Sequence, residues 1–170
     1  MDITLQQLLD SRDERQRLQQ RYLSYNPGMT LMVVTVVMPG PEKRNSLSSV
    51  IAQAAMHAVH EEFGTRIRKE DVRDLETGFE GWFVLDIGSA EVKRRSCTIE
   101  DSHPLGRLFD MDIFDASTTG PISRTSLELP ERRCILCDEP ARVCMRSGIH
   151  SRDSVMARIK KMVTDYESMY

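Results

Sequence analysis

The sequence predicts an α+β fold over residues 1–170: one domain, with helices flanking a mixed or antiparallel sheet. Three features point there. Residues 30–38 (TLMVVTVVM) form a short apolar, β-branched run, as in a strand buried on both faces. Residues 46–63 and 150–170 carry apolar side chains at helical spacing. Strand-like stretches at 66–76 and 81–87 flank the turn residues Thr77-Gly78.

Taken in order, the first helix is expected from residue 4 to about residue 25. Leu5, Leu8, Leu9, Leu18, Tyr22 and Leu23 make a sparse stripe on an otherwise polar segment. Asn26-Pro27-Gly28 ends it, because proline cannot continue a helix and glycine accepts the turn. Pro39-Gly40-Pro41 stops the apolar strand. Ser46 is the expected N-cap of the second helix and Gly64 its stop. After the strand pair, Gly88-Ser89 leads into a helix expected at 90–101, which ends before Pro104. Residues 108–114 (LFDMDIF) alternate apolar and acidic side chains and read as a strand with one polar face. Residues 121–127 are expected to pair with it as a hairpin. Residues 134–147 read as irregular or short-helical. The last helix presents Val155, Ile159, Met162, Val163 and Tyr166 on one side.

Composition narrows the function classes. Hydrophobic residues are 40% and charged residues 29% of the chain, as in a globular protein with a single core. The net charge of -3 argues against a general nucleic-acid or membrane binder. Residues 31–38 are the longest apolar stretch and are too short to span a bilayer. The first ten residues lack the pattern of an export signal, so a cytoplasmic location with reduced thiols is expected.

The strongest chemical signal is Asp110-Met111-Asp112, followed by Asp115. Residues two apart on a strand face the same way, and adjacent carboxylates repel unless a cation neutralises them. Mg2+ held by Asp110 and Asp112 together with substrate phosphates suits nucleotidyl transfer. Gly88-Ser89, between a strand and a helix, offers free N–H groups to phosphate oxygens. A Gly-Ser turn upstream of an Asp-x-Asp strand resembles the polymerase-beta-like nucleotidyltransferases, so the fold is expected to be nucleotidyltransferase-like. The competing reading makes Asp110 and Asp112 an exposed strand edge and Gly88-Ser89 a plain connection.

Cys134, Cys137, Cys144 and His150 offer three thiolates and an imidazole within a short segment. That donor set suits a tetrahedral structural Zn2+. The competing reading is a reduced cysteine pair in a loop, with His150 at a helix start. A redox pair is disfavoured, since no thioredoxin-like context surrounds it. Arg107, Arg124, Arg132 and Arg133 flank the acidic strand and the cysteine segment, and guanidinium groups bind phosphate bidentately. Lys93, Arg94 and Arg95 are further candidates, and His103 is a candidate proton carrier. Each of these also reads as ordinary surface charge.

Several blocks carry a family likeness. Residues 102–113 (SHPLGRLFDMDI) are similar to the signature of the apo-citrate lyase phosphoribosyl-dephospho-CoA transferases, also called holo-citrate lyase synthases. Ile122-Ser123-Arg124, residues 132–144 (RRCILCDEPARVC), Arg146-Ser147 and His150-Ser151 also resemble that family, as do Pro39-Gly40-Pro41-Glu42-Lys43 and the glutamine-rich first helix. Met111 and Phe114 stand where smaller aliphatic residues are expected. The likeness spans nearly the whole chain.

The resemblance implies a reaction and its partners. The donor is 2'-(5''-triphosphoribosyl)-3'-dephospho-CoA. The acceptor is a serine on the acyl carrier (gamma) subunit of citrate lyase, and pyrophosphate leaves. Asp110 and Asp112 are then expected to hold Mg2+. Arg107 is expected to act in catalysis, with Gly88, Ser89, Arg124, Arg132 and Arg133 binding the donor. Two other functions fit parts of the sequence. One is a non-catalytic, zinc-stabilised adaptor for the lyase carrier. The other is a related transferase serving malonate decarboxylase.

Overall fold

The polypeptide builds one four-stranded antiparallel sheet with helices on both faces. The computed structural model describes residues 3–169. The elements in order are α1 (Leu5–Tyr25), β1 (Thr30–Val36), α2 (Ser46–Phe63), β2 (Ile67–Leu75), β3 (Gly78–Leu85), α3 (Ser89–Ser102), β4 (Phe109–Phe114), α4 (Ala141–Ser147) and α5 (Arg152–Glu167). The strand order is β2-β3-β1-β4, and every neighbouring pair is antiparallel. The expectation of a mixed or antiparallel sheet resolves to the second.

Strand alternation sorts the side chains into two layers. Met32, Val34, Phe83, Leu85, Met111 and Ile113 face α2, α3 and α5 and make the larger core. Leu31, Val33, Trp82 and Phe114 face the other way, against Leu18, Tyr22 and Leu23 of α1. The central strand β1 is therefore buried on both sides, as its apolar run predicts. The Tyr22 ring stacks on Trp82 with centroids 5.3 Å apart, which anchors the polar helix α1 to the sheet.

Several boundaries differ from the sequence reading. The N-cap of α2 is Asn45, not Ser46: its Oδ1 accepts the Ser48 N–H at 3.0 Å, and the Asn45 N–H donates to Ser48 Oγ at 2.9 Å. Gly64 ends α2 as expected, as its C-cap, but through a right-handed φ of -43 that opens a 3-10 turn and not through a left-handed turn. Strand β1 ends at Val36: the Val37 N–H still donates in register to the Leu108 carbonyl at 2.9 Å, but the Leu108 N–H turns away to the Leu105 carbonyl at 2.8 Å. Strand β3 begins at Gly78, whose φ of 128 closes the hairpin where an L side chain is strained. The final helix starts after its N-cap Ser151, and Tyr170 lies outside the described residues.

The expected hairpin of residues 121–127 with β4 does not form. Residues Thr125–Leu127 make a 3-10 turn instead. The reason lies in the outer edge of β4. An antiparallel edge leaves the backbone groups of alternate residues pointing outward. Here the Met111 amide and the carbonyls of Phe109, Met111 and Ile113 already have partners. Glu100 Oε1 accepts the Met111 N–H at 2.9 Å, and Lys93 Nζ donates to the Met111 carbonyl at 3.2 Å. Arg132 donates to the Phe109 carbonyl, and the Ile122 N–H donates to the Ile113 carbonyl at 2.8 Å. Three side chains and a single backbone bond from Ile122 thus take the place of a fifth strand, which explains why Lys93 and Glu100 are buried. With Phe109, Met111 and Ile113 held this way, Asp110 and Asp112 must turn to the α1 face.

Gly106, ahead of β4, sets how closely that strand approaches α3. A Cβ there would lie 2.4 Å from the Ile99 carbonyl oxygen and 2.6 Å from that of Glu100. Backbone cannot yield as a flexible side chain can. Gly106→Ala is expected to destabilise the fold by about 2–3 kcal/mol and lower Tm by roughly 5–10 °C. Thermal denaturation followed by circular dichroism checks this, and an unchanged Tm contradicts it.

Candidate active site and metal centre

The register places three carboxylates on the α1 face of the sheet. Thr35 of β1 lies between Glu80 of β3 and Asp110 of β4, and Val33 lies opposite Asp112. Glu80 is buried and fully engaged. It accepts from Arg15 Nε at 3.1 Å, Arg73 Nη1 at 3.3 Å and Trp82 Nε1 at 3.2 Å. Arg15 is thereby fixed over the sheet.

Asp112 opens onto a cleft of about 520 Å³ between α1 and the loop after β4. Arg12, Arg15, Gln16 and Gln19 line its helical wall, and Thr118 and Gly120 line its loop wall. Burial pushes the Asp112 carboxyl up to about 6, and the neighbouring Asp110 charge adds to the rise. Lys93 pulls in the opposite direction. Two carboxylates in this relation favour a shared proton or a cation. Asp110 is half exposed, and Arg132 Nη1 approaches its Oδ1 at 3.4 Å.

The other residues singled out in the sequence separate into groups. Arg124 binds Glu100 at 2.6 Å and Asp101 at 2.9 Å, with a side chain only 9% exposed. Its guanidinium secures Glu100, which in turn holds β4. Gly88 is the N-cap of α3, without a side-chain cap. The Ser89 hydroxyl donates to Asp115. Asp115 also accepts from Ser117, and these bonds hold its carboxyl below the usual range. Arg94 donates to the Leu127 carbonyl, while Arg95 pairs with Glu62 and Glu91. His103 packs between Phe109 and Tyr166, accepts the Leu105 N–H on Nδ1, and is depressed by burial. Arg107 and Arg133 line a different, smaller pocket near the cysteines.

The cysteine segment folds around a candidate metal centre. An isolated antiparallel bridge joins Arg133 to Pro140, closing the turn that carries Cys134 and Cys137. Helix α4 brings Cys144, and His150 comes just before α5. The four candidate ligand atoms lie within 4.8 Å of one another. Cys137 Sγ is 3.4 Å from Cys144 Sγ and 3.3 Å from His150 Nε2. Ligands about 2.0–2.3 Å from a tetrahedral Zn2+ stand roughly 3.3–3.8 Å apart. The Cys137–Cys144 and Cys137–His150 separations match such an ion, and the whole set, within 4.8 Å, needs only a small contraction to close on it.

Comparison with known proteins decides the family. A model of the family described as apo-citrate lyase phosphoribosyl-dephospho-CoA transferase matches residues 3–166. This chain belongs to that family. A Vibrio cholerae protein named as a probable apo-citrate lyase phosphoribosyl-dephospho-CoA transferase is 36% identical over 170 residues, covering 98% of this chain and 94% of the relative. A Shigella flexneri protein with that transferase name is 33% identical over 170 residues, covering 98% of this chain and 91% of its own. A longer Haemophilus influenzae protein, "Protein CitXG", is 34% identical over 168 residues, and the chain spans 36% of its length.

Within this member of the transferase family, the cleft residues of α1 escape a motif search. Arg12, Arg15, Gln16 and Gln19 sit far from the acidic strand in sequence. Their signal is the spacing of three or four residues, which puts them on one helical face. Glu80 gives no such signal, because its strand reads as apolar around it. Among the described residues, no helix is long and apolar enough to cross a membrane.

Proposed function

We propose that this chain transfers the 2'-(5''-phosphoribosyl)-3'-dephospho-CoA group from its triphosphate donor to a serine of the acyl carrier subunit of citrate lyase. The observation supporting this reading is the pairing of Asp110 and Asp112 on one sheet face, with Asp112 opening onto the cleft that Arg12 and Arg15 line, in a chain that matches the transferase family over residues 3–166.

In this reading the carrier serine oxygen attacks the phosphorus nearest the ribose. A new P–O bond forms, the bond to the pyrophosphate bridge breaks, pyrophosphate leaves and the serine proton passes to water. Asp110 and Asp112 would hold Mg2+, which would supply neutralisation of phosphate charge and support for the leaving group. Arg12 and Arg15 line the cleft that receives the phosphates and stabilise charge that develops on them. Arg132 orients Asp110 while also securing the Phe109 carbonyl. Glu80 keeps Arg15 over the sheet. Gly88 and Ser89 remain proposed donors to the substrate through the start of α3, and Arg107 and Arg133 act from their own pocket.

The test is intact-mass analysis of the apo-carrier after incubation with enzyme, donor and magnesium. The carrier mass should rise by the prosthetic group while pyrophosphate is released in equal amount. An unmodified carrier under these conditions overturns the reading.

A further inference from the structure

The pocket holding Arg107 and Arg133 shares no lining residue with the aspartate cleft. It measures about 250 Å³ and also receives Arg158 from α5, with Cys134, Cys137 and Asp138 on its wall. Arg107 Nε and Nη2 are buried and have no hydrogen-bond partner among the described residues. Buried guanidinium N–H groups left unpaired are unfavourable, and native proteins resolve such groups with water or an ion. Burial lowers the Arg107 value, as do the nearby Arg132 and Arg124, while Asp101 and Cys134 act the other way. Arg133 uses one nitrogen on the Asp138 carbonyl, and both Arg133 and Arg158 are exposed at the rim.

The thiolates do not balance this charge. A Zn2+ with three thiolates and a neutral imidazole carries one net negative charge. Adding the Asp138 carboxylate still leaves a positive surplus against three arginines. The pocket is smaller than the roughly 300–1,000 Å³ of ordinary small-molecule sites, so it suits an anionic group better than a whole nucleotide.

We propose that Arg107, Arg133 and Arg158 form a diphosphate-binding site, separate from the aspartate cleft. Arg133 and Arg158 contact the anion from the rim, and its charge compensates Arg107, whose Nε and Nη2 are buried. Naming the ligand rests on the proposed transfer reaction, in which two diphosphates occur. One is the pyrophosphate that leaves, and the other joins adenosine to pantetheine in dephospho-CoA.

The experiment is isothermal titration calorimetry on the purified full chain without added divalent cation. Under those conditions the anionic Asp110–Asp112 pair repels phosphate, so binding reports the arginine pocket. The probes are sodium pyrophosphate and dephospho-CoA. One-site binding of either probe is expected. Saturation by pyrophosphate alone assigns the site to the leaving group, and saturation by dephospho-CoA assigns it to the internal diphosphate. The double variant Arg133→Gln/Arg158→Gln, changed only at exposed positions, should weaken binding about tenfold or more. The proposal is overturned if neither probe saturates, or if the double variant binds like wild type. Failure of the transfer reading shows separately, in the carrier mass.

Discussion

Asp112→Asn is expected to reduce transfer by about three orders of magnitude or more while making the metal-free protein more stable at neutral pH. The loss follows from removing a carboxylate that holds several kcal/mol of charge stabilisation at the reacting phosphates. The gain follows from linkage. Burial and Asp110 raise the folded-state value of Asp112 from 3.8 to about 6. Below 3.8 the group is neutral in both states and has no effect. Between 3.8 and 6 the unfolded chain ionises first, so the folded state loses relative stability as pH rises. Above 6 that loss is complete, on the order of 1–3 kcal/mol. Asparagine abolishes it, so Tm should rise at pH 7 and match wild type near pH 4. Wild-type transfer at limiting magnesium should fall as pH drops through about 6. Added magnesium should move that limb to lower pH, because cation and proton compete for the same carboxylates. Pyrophosphate release and calorimetry read the two effects. Wild-type transfer by the variant removes Asp112 from the mechanism.

Cys137→Ser is expected to abolish stoichiometric zinc and lower Tm by roughly 10 °C. Cys137 Sγ touches both Cys144 Sγ and His150 Nε2, so it sits at the centre of the candidate ligand set. The cluster joins three pieces of chain: the turn after Arg133, helix α4, and the start of α5. Few other interactions hold α4, where Cys144 is the buried residue. Loss of a structural metal at such a junction costs about 3–5 kcal/mol in a domain of this size. Elemental analysis of zinc-supplemented protein should find one zinc per chain. Cys97→Ser is the control, since Cys97 is buried on α3 outside the cluster and should leave zinc content unchanged. A chain purified with zinc that retains none contradicts the assignment.

Much of this arrangement is legible in the amino-acid order, and the rest is not for definite reasons. β1, α2 and α5 announce themselves because burial imposes a period on their side chains. The alternation of residues 108–114 correctly places Asp110 and Asp112 on one face, because strand geometry allows nothing else. The cysteine spacing puts four donors in one short segment, and the fold gathers them within 4.8 Å. The absent hairpin at 121–127 illustrates what periodicity misses. Whether β4 pairs with another strand depends on Lys93, Glu100 and Arg132, which lie elsewhere in sequence and compete for the same backbone groups. Arginines that look alike along the chain likewise diverge in space. Arg124 is committed to Glu100 and Asp101, Arg132 reaches Asp110, and Arg107 and Arg133 face another pocket.

The way side chains occupy the outer margin of β4 bears on solubility as well as on the site. Sheet margins are where separate copies of a protein can zip together into aggregates. At β4 the Met111 amide and the carbonyls at 109, 111 and 113 are already taken, which interrupts the ladder that would template such growth. The opposite margin, β2, is guarded differently: Arg68, Lys69, Glu70, Asp71, Arg73 and Asp74 give it dense mixed charge. A crowded solution of this protein should therefore resist fibre formation from either side of its sheet.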